Sequence, residues 1–258
     1  MKLALAQMKV IGGDPSGNVD RAVDRISTAA NRLNADIVLL PEALDCGWTH
    51  SCAKEKAEEI PEGDAFQALA HAARQHSIYV CAGLIERKGD DLFNSAVLID
   101  PHGQLLAHHR KINELDFARE LYSVGTDICD PVSTPFGTIG IHICADGFAK
   151  DQWISRKLAE RGADLILSPC AWAVPPDFSV EKDGPYGNIW RENYSPVARE
   201  YGMAIAGCSN VGTITDGAWK DHRCIGNSIV IGPDGSELLT GPFGQNEDAL
   251  LSLDLPVT

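Results

Sequence analysis

Apolar and polar positions along the chain follow two periods, which predict strands and helices in alternation. Leu3–Val10 and Asp36–Leu40 are typical of strands, because apolar runs of this length fit a buried strand. Gly17–Leu33 has the apolar spacing of an amphipathic helix, and Asp64–His76 is a second helix that Asp64 can cap. Further strands are predicted at Tyr79–Glu86, Asn94–Ile99, Gln104–His109, Thr138–Cys144, Asp164–Leu167 and Met203–Ser209, further helices at Asp151–Arg161 and Ile189–Tyr201, and a closing hairpin at Ser228–Leu239. This order predicts an α/β fold.

The pattern occurs twice along the chain. Ala35–Pro41 is echoed by Ala163–Pro169, and the run from Asn94 to Gly103 is echoed by Asn227–Gly235. Each half has apolar strands with helices on one side only, so the other face of its sheet needs covering. Packing the halves sheet to sheet predicts a single domain over all 258 residues, a four-layer αββα sandwich with an internal pseudo-twofold repeat. Two independent domains are the alternative, but no Pro-, Gly- or Ser-rich linker separates the halves near Asp130.

Charge and composition exclude several classes of partner. The formal net charge is −14 at pH 7, and nucleic acids and anionic membranes both require clustered positive charge, so neither is an expected partner. No apolar run approaches the ~20 residues that span a bilayer. Gln7 and Lys9 interrupt the apolar N-terminus, which argues against a secretory signal. We therefore expect a cytoplasmic protein.

The cysteine spacing indicates free thiols. The chain has 8 cysteines and no Cys-x-x-Cys pair, which favours a reducing compartment over a disulfide framework. Cys46, His50 and Cys52 loosely suggest a metal site, but no second ligand pair follows. Neither a metal nor an organic cofactor is predicted.

Three reactive side chains lie where predicted strands end. Glu42 follows an apolar strand, Lys111 follows another, and Cys144 closes the strand in which Ile139–Ile143 alternate onto one face. The carboxyl ends of parallel strands meet at one rim of a sheet, where ligand sites form, so the three groups can converge. Taken singly, Glu42 is also readable as a solvated loop residue and Lys111 as a surface lysine.

Three separated runs of the sequence occur together in one known family, in the same order. They are Leu39-Leu40-Pro41-Glu42, His109-Arg110-Lys111-Ile112, and Gly140-Ile141-His142-Ile143-Cys144-Ala145-Asp146-Gly147. With them, and with weaker support from Ala206–Gly212 and Gly226–Leu239, the chain resembles the nitrilase-related carbon–nitrogen hydrolase superfamily over nearly its whole length. The resemblance implies the αββα sandwich, chemistry without a cofactor and a homodimer or larger homo-oligomer.

The resemblance also implies a Glu-Lys-Cys triad. Cys144 would be the nucleophile, Glu42 the general base, and Lys111 with the Ala145 N–H the groups that stabilise the oxyanion. A second glutamate often supports such a site. Glu120 is the best match, with Glu114 and Asp116 as rivals.

Other residues bear on mechanism and specificity. His142 lies on the same strand as Cys144 and could form a Cys–His pair, but neighbours along a strand rarely reach hydrogen-bonding geometry, so we interpret it as lining or packing. Trp172 is expected to contact substrate or to pack in the core. The helix around Trp153 and Ile154 and the helix around Tyr194 and Val197 are candidates for a homodimer contact.

Departures from the family pattern shape the expected substrate. Cys144-Ala145-Asp146 stands where nitrile-cleaving members typically have Cys-Trp-Glu. We therefore expect hydrolysis of a small amide or N-carbamoyl compound through a cysteine thioester, with release of ammonia or an amine. Nitrile hydrolysis, or a catalytically silent binding protein on the same fold, are the alternatives.

Overall fold

The computed structural model describes residues 1–256 and contains two six-stranded sheets that share one core. In chain order the strands are β1 (Lys2–Gln7), β2 (Ile37–Leu39), β3 (Tyr79–Lys88), β4 (Asp91–Ile99), β5 (Leu105–Arg110), β6 (Val132–Thr134), β7 (Gly137–Ile141), β8 (Leu165–Cys170), β9 (Ala173–Val174), β10 (Ala204–Ser209), β11 (Val211–Thr213), β12 (Arg223–Ile225), β13 (Ile229–Ile231), β14 (Glu237–Thr240) and β15 (Ala249–Asp254). The helices are α1 (Pro15–Leu33), α2 (Ala53–Lys56), α3 (Asp64–His76), α4 (Trp153–Glu160), α5 (Val180–Asp183) and α6 (Asn188–Tyr201).

The two large sheets have the same topology, which confirms the αββα sandwich and its internal repeat. The first has the order β15-β1-β2-β3-β4-β5 and the second β6-β7-β8-β10-β13-β14. In each, three parallel strands follow an antiparallel edge strand and lead into an antiparallel hairpin. The carboxyl ends of the three parallel strands therefore meet at one rim of each sheet, where reactive side chains can converge.

Side chains of the first sheet divide between two apolar layers. Leu3 and Leu5 of β1 belong to the core shared with the second sheet, whereas Ala4 and Ala6 pack in the layer formed with α1 and α3. Because both faces are covered, the strands are apolar throughout, as is usual for parallel sheets.

Helix α3 has the predicted bounds but a different cap. Asp64 is the first helical residue and Gly63 occupies the cap position. The Ala65 N–H is instead satisfied by Oε2 of Glu58, at 3.0 Å. The prediction that Asp64 caps this helix is therefore wrong.

Two features were not predicted from the periodicity. Strand β15 pairs antiparallel with β1, from Lys2 opposite Asp254 to Gln7 opposite Ala249, and so completes the first sheet. A small sheet of β9, β12 and β11 lies apart from the two large ones. Within residues 1–256, no helix is long and apolar enough to cross a membrane.

Candidate active site

Glu42 is held at the rim by a close approach of two backbones. It follows β2 and is only 1% exposed, so the interpretation as a solvated loop residue is wrong. Gly83 N–H donates to the Pro41 carbonyl at 3.0 Å, and Leu44 N–H donates to the Gly83 carbonyl at 2.9 Å. A Cβ at Gly83 would lie 2.5 Å from the Glu42 Cα, which real contacts do not allow. Glycine is thus required for β3 to pass this turn.

Lys111 is buried between carboxylates. Its Nζ donates to Oε1 of Glu42 at 2.7 Å, lies 3.7 Å from Oε2 of Glu114 and sits 5.6 Å from the Trp48 ring centroid. Burial alone would lower the pKa of Lys111, but the carboxylates of Glu114 and Glu42 raise it well above its usual value. The side chain therefore carries a fixed positive charge at the rim.

The Glu42 carboxylate has one engaged oxygen and one free oxygen. Oε1 accepts from Lys111 and from Nδ2 of Asn94, the latter at 2.6 Å. Oε2 is buried and has no hydrogen-bond partner in the described part of the chain. Such an oxygen is available to accept a proton from a bound group.

The sequence predicts that Cys144 ends a strand, but in the structure the strand ends before it. Strand β7 stops at Ile141, and Cys144 begins a 3-10 turn, Cys144–Phe148, with φ +43°. This left-handed conformation is costly for a residue with a Cβ and persists only where the surroundings impose it. Here the Cys144 N–H donates to Oγ of Ser168 at 3.1 Å, which anchors the turn to β8.

The thiol of Cys144 is neutral at rest. Burial, the Cys170 thiol and the Glu42 carboxylate raise the pKa of Cys144 well above its usual range, and the Lys111 charge opposes them only in part. A thiol of this kind becomes nucleophilic only when a base removes its proton. Cys144 and Lys111 line the same cavity, and Lys111 is paired with Glu42, so the structure brings the three groups together.

Asp146 ties the Lys111 loop to the Cys144 turn. Its Oδ1 accepts the N–H groups of Ile112 and Asn113 at 3.1 and 2.7 Å. Its Oδ2 accepts the Ile143 N–H at 3.0 Å and lies 2.9 Å from Nε2 of His109. The pKa of Asp146 is lowered: burial opposes this, but the hydrogen bond from His109 and those from the backbone outweigh it. The carboxylate thus fixes the segment that carries Lys111 relative to the segment that carries Cys144.

Of the three acidic residues considered for the second glutamate, Glu114 lies against Lys111. Glu120 is exposed at the end of the 3-10 turn Asp116–Glu120, and Asp116 is exposed as well. Glu114 is 2% exposed, and burial raises its pKa to about 7. The loop turns back so that Glu114, and not the predicted Glu120, faces Lys111, which makes Glu114 the better candidate for the second glutamate.

A cavity of about 320 Å³ opens beside these groups. Cys144, Lys111, Ala145 and Trp172 all line it. The described residues offer the Ala145 N–H no acceptor, so it can donate to an oxyanion at Cys144. Trp172 both lines the cavity and packs, with its ring 4.1 Å from that of Trp190 in a stacked pair.

His142 lies outside the cavity lining. Both of its ring nitrogens are buried, and the structure, as far as residue 256, gives neither a hydrogen-bond partner. Its ring centroid is 6.0 Å from that of Tyr194, and burial lowers the pKa of His142 to about 4. His142 is thus a neutral packing residue, and the Cys–His pair is not formed.

Several site residues were missed by sequence reasoning. Asn94, Asp146 and Ser168 hold the three reactive groups through hydrogen bonds that bridge distant segments. Each had a sequence signal that was not connected with the site: Asn94 and Ser168 lie in the repeated runs, and Asp146 lies in the run around Cys144. Within residues 1–256 no three His, Cys, Asp or Glu side chains group as metal ligands, Cys46, His50 and Cys52 included.

Comparisons with known proteins show which family the chain is similar to. The family model for carbon-nitrogen hydrolases matches residues 2–257. A nitrilase of Pyrococcus abyssi (strain GE5 / Orsay) is 28% identical over 262 residues, covering 99% of this chain and 90% of that protein. An omega-amidase of Homo sapiens is 34% identical over 181 residues, covering 66% of this chain and 63% of that protein.

A solved structure extends the likeness to the whole fold. A Glu→Gln mutant of the amidase from Nesterenkonia sp. AN1, which shows the result of Michael addition of acrylamide at the active-site cysteine, has a TM-score of 0.82 and 25% identity. The alignment covers 99% of this chain and 93% of that one. The chain belongs to the carbon-nitrogen hydrolase family and is a hydrolase of carbon–nitrogen bonds.

Proposed function

We propose that the protein hydrolyses the C–N bond of a small amide through a thioester on Cys144. One observation carries the proposal: a buried carboxylate, Glu42, has one oxygen fixed by Lys111 and the other free, beside a neutral buried thiol at the wall of a cavity. A base, a nucleophile and a cation in this arrangement are what acyl transfer from an amide requires.

In the first half-reaction, the Cys144 sulfur attacks the amide carbon while its proton passes to Glu42. The C=O bond becomes a C–O⁻ bond, and the negative oxygen is stabilised by the Lys111 ammonium and the Ala145 N–H. Collapse of this intermediate breaks the C–N bond. Glu42 returns the proton to the departing nitrogen, which leaves as ammonia or an amine.

In the second half-reaction, water hydrolyses the thioester. Glu42 accepts a proton from the water as its oxygen attacks the acyl carbon. The C–S bond breaks, the sulfur recovers the proton, and the carboxylic acid is released. Glu114 does not enter either proton transfer; its carboxyl holds Lys111 in place from the other side.

The proposed substrate class is supported by the departures of this sequence from the family pattern and by the activities named for similar proteins. The omega-amidase and the amidase among the relatives support amide hydrolysis, and the absence of a Cys-Trp-Glu run here favours it over nitrile hydrolysis. The Pyrococcus abyssi nitrilase supports nitrile hydrolysis as the second candidate. N-carbamoyl compounds present the same C–N bond to Cys144 and remain within the proposal.

Ammonia release from short amides, N-carbamoyl amino acids and nitriles tests the proposal, with and without a chelator. We expect chelator-insensitive release from amides that thiol alkylation abolishes, together with an acyl adduct on Cys144 in intact-protein mass spectra. The Cys144→Ala variant should form no adduct. Release that survives in Cys144→Ala would contradict the proposal.

We also propose a cytoplasmic homodimer. The cytoplasm is supported by the cysteines, all 8 of which are free thiols. Of the four residues suggested for the dimer contact, Ile154, Tyr194 and Val197 are buried within the chain and only Trp153 is exposed, at 46%. Those three belong to the core and are not available as contacts. Sedimentation that shows only monomer at micromolar concentration would contradict the dimer.

A further inference from the structure

The walls of the cavity beyond the reacting groups are aromatic. The lining includes six aromatic side chains, Trp48, Phe148, Trp172, Tyr186, Trp190 and Trp219. Leu115, Ile189 and three alanines supply the rest of the apolar lining around Cys144 and Lys111. Aromatic and aliphatic walls favour an apolar ligand and give a buried charge no solvation.

The cavity offers no cation to a second charged group of a substrate. Lys111 is the positive residue among those that line it, and the carboxylates of Glu42 and Glu114 already face its ammonium. Arg119 and Arg223 are not in the lining and donate to the backbone carbonyls of Glu114 and Phe178, although the buried Nε of Arg223 has no acceptor within residues 1–256. A carboxylate far from the amide would therefore be buried without an ionic partner.

The lining residues other than Lys111 and Cys144 add no charged group, and the unpaired polar atoms of their tryptophans are buried. The indole N–H groups of Trp48, Trp172 and Trp190 have no acceptor within residues 1–256. An indole N–H can donate to an uncharged acceptor but supplies no full charge to offset an anion.

Resting on the amide hydrolysis proposed above, we propose that the substrate is an uncharged amide with an apolar acyl group. The volume of about 320 Å³ lies at the small end of ligand pockets, which span roughly 300–1,000 Å³. It fits an acyl group the size of one aromatic ring or a short branched chain. Amides that carry a second, ionised carboxylate are poor substrates.

A matched pair of amides tests this directly. Glutaramate and 5-methylhexanamide have the same chain and differ only in ending with a carboxylate or an isopropyl group of similar shape. We expect kcat/KM to be at least about 100-fold higher for the neutral amide, since a buried unpaired carboxylate is costly. Phenylacetamide should likewise exceed succinamate. Preference for glutaramate would overturn the inference while leaving amide hydrolysis intact.

A gain of charge at the mouth of the cavity gives the reverse test. Ile189 lines the cavity and is 45% exposed, so a longer polar side chain is tolerated there. We expect Ile189→Arg to shift the ratio of kcat/KM values toward glutaramate by at least about tenfold, and Ile189→Gln, the uncharged control, to leave the ratio within about threefold. Equal shifts in both variants would overturn the inference. An Arg223→Gln variant that selectively loses glutaramate turnover would also overturn it, by identifying Arg223 as a carboxylate partner.

Binding separates this inference from the failure of catalysis. Four of the tryptophans line the cavity, so intrinsic fluorescence reports its occupancy. In Cys144→Ala, we expect phenylacetamide and 5-methylhexanamide to change the emission at concentrations where glutaramate does not. That result would support an apolar binding cavity even if the original protein turned over no amide. The absence of turnover would contradict only the proposed function. Tighter binding of glutaramate would overturn the inference.

Discussion

The Nζ of Lys111 lies 2.7 Å from Oε1 of Glu42, and the second oxygen of that carboxylate has no hydrogen-bond partner among the described residues. The two oxygens therefore have separate tasks. The engaged oxygen fixes the side chain beside the cation, and the free oxygen exchanges a proton with the nucleophile and the leaving group.

Glu42→Gln should remove the base while keeping the contact with Lys111. The amide oxygen of glutamine can still accept from the ammonium, but neither amide atom can take the thiol proton. We expect kcat/KM to fall by about 10³. Steady-state ammonia release, with circular dichroism to confirm folding, is the measurement. A variant that keeps more than a tenth of the activity would show that another group is the base.

Glu114→Gln and Glu120→Gln form a matched pair that tests which glutamate supports the site. Because Glu114 faces Lys111 from 3.7 Å, its replacement should leave the ammonium positioned by Glu42 alone and lower kcat/KM by about tenfold or more. Glu120 is exposed, so its replacement should change activity by less than about twofold. A larger loss of kcat/KM in Glu120→Gln than in Glu114→Gln would favour Glu120 as the second glutamate.

Glu114 also predicts a dependence of stability on pH. Burial raises its folded-state pKa to about 7, above its unfolded value, so its contribution to the free energy of unfolding is present at low pH and lost as pH rises through about 7. Urea unfolding between pH 4.5 and 7.5 should show a weaker decline in Glu114→Gln than in the original protein. Parallel curves for the two proteins would mean that Glu114 is already ionised throughout.

His142 should affect stability in the opposite direction, with little effect on activity. Its folded-state pKa is lowered to about 4 by burial, so the unfolded chain binds a proton that the folded chain does not, and stability falls as pH drops from about 6.5 toward 4. His142→Asn should flatten that fall, which amounts to up to about 3 kcal/mol. We expect its kcat to stay within a few fold. A loss comparable to that of Cys144→Ala would instead favour a Cys–His pair.

Asp146→Asn should uncouple the two segments that Asp146 joins. The neutral side chain cannot accept from all four donors, and one of them would be left buried and unpaired at a cost of about 1–3 kcal/mol. Activity should fall as well, because Lys111 and Cys144 lose their common anchor. Asp100→Asn is the control: Asp100 accepts two backbone N–H groups in an exposed turn, so both effects should be much smaller. If Asp146→Asn and Asp100→Asn changed stability in urea unfolding and activity in kinetic assays by the same amounts, Asp146 would not be the anchor of the two segments.

The periodicity of the sequence predicted the layers because the layers depend on local pattern. Helix α3 has the predicted bounds, and Glu42 and Lys111 lie beyond strand ends as expected. The backbone conformation of Cys144 could not be predicted from local pattern, since its positive φ accompanies a hydrogen bond to Ser168, which is distant in sequence. The choice between Glu114 and Glu120 was equally inaccessible, because the loop after Lys111 has no period and its path depends on bonds to Asp146.

The pairing of β15 with β1 has a consequence for the nascent chain. Although the sequence repeats, the amino-terminal half cannot complete its own sheet, because the partner of its first strand lies at residues 249–254. During synthesis the edge of β1 stays unpaired until residues 249–254 have left the ribosome, and unpaired edges favour association with other chains. The halves should therefore be insoluble when expressed separately and recover only when produced together, even though each resembles a small fold in its own right.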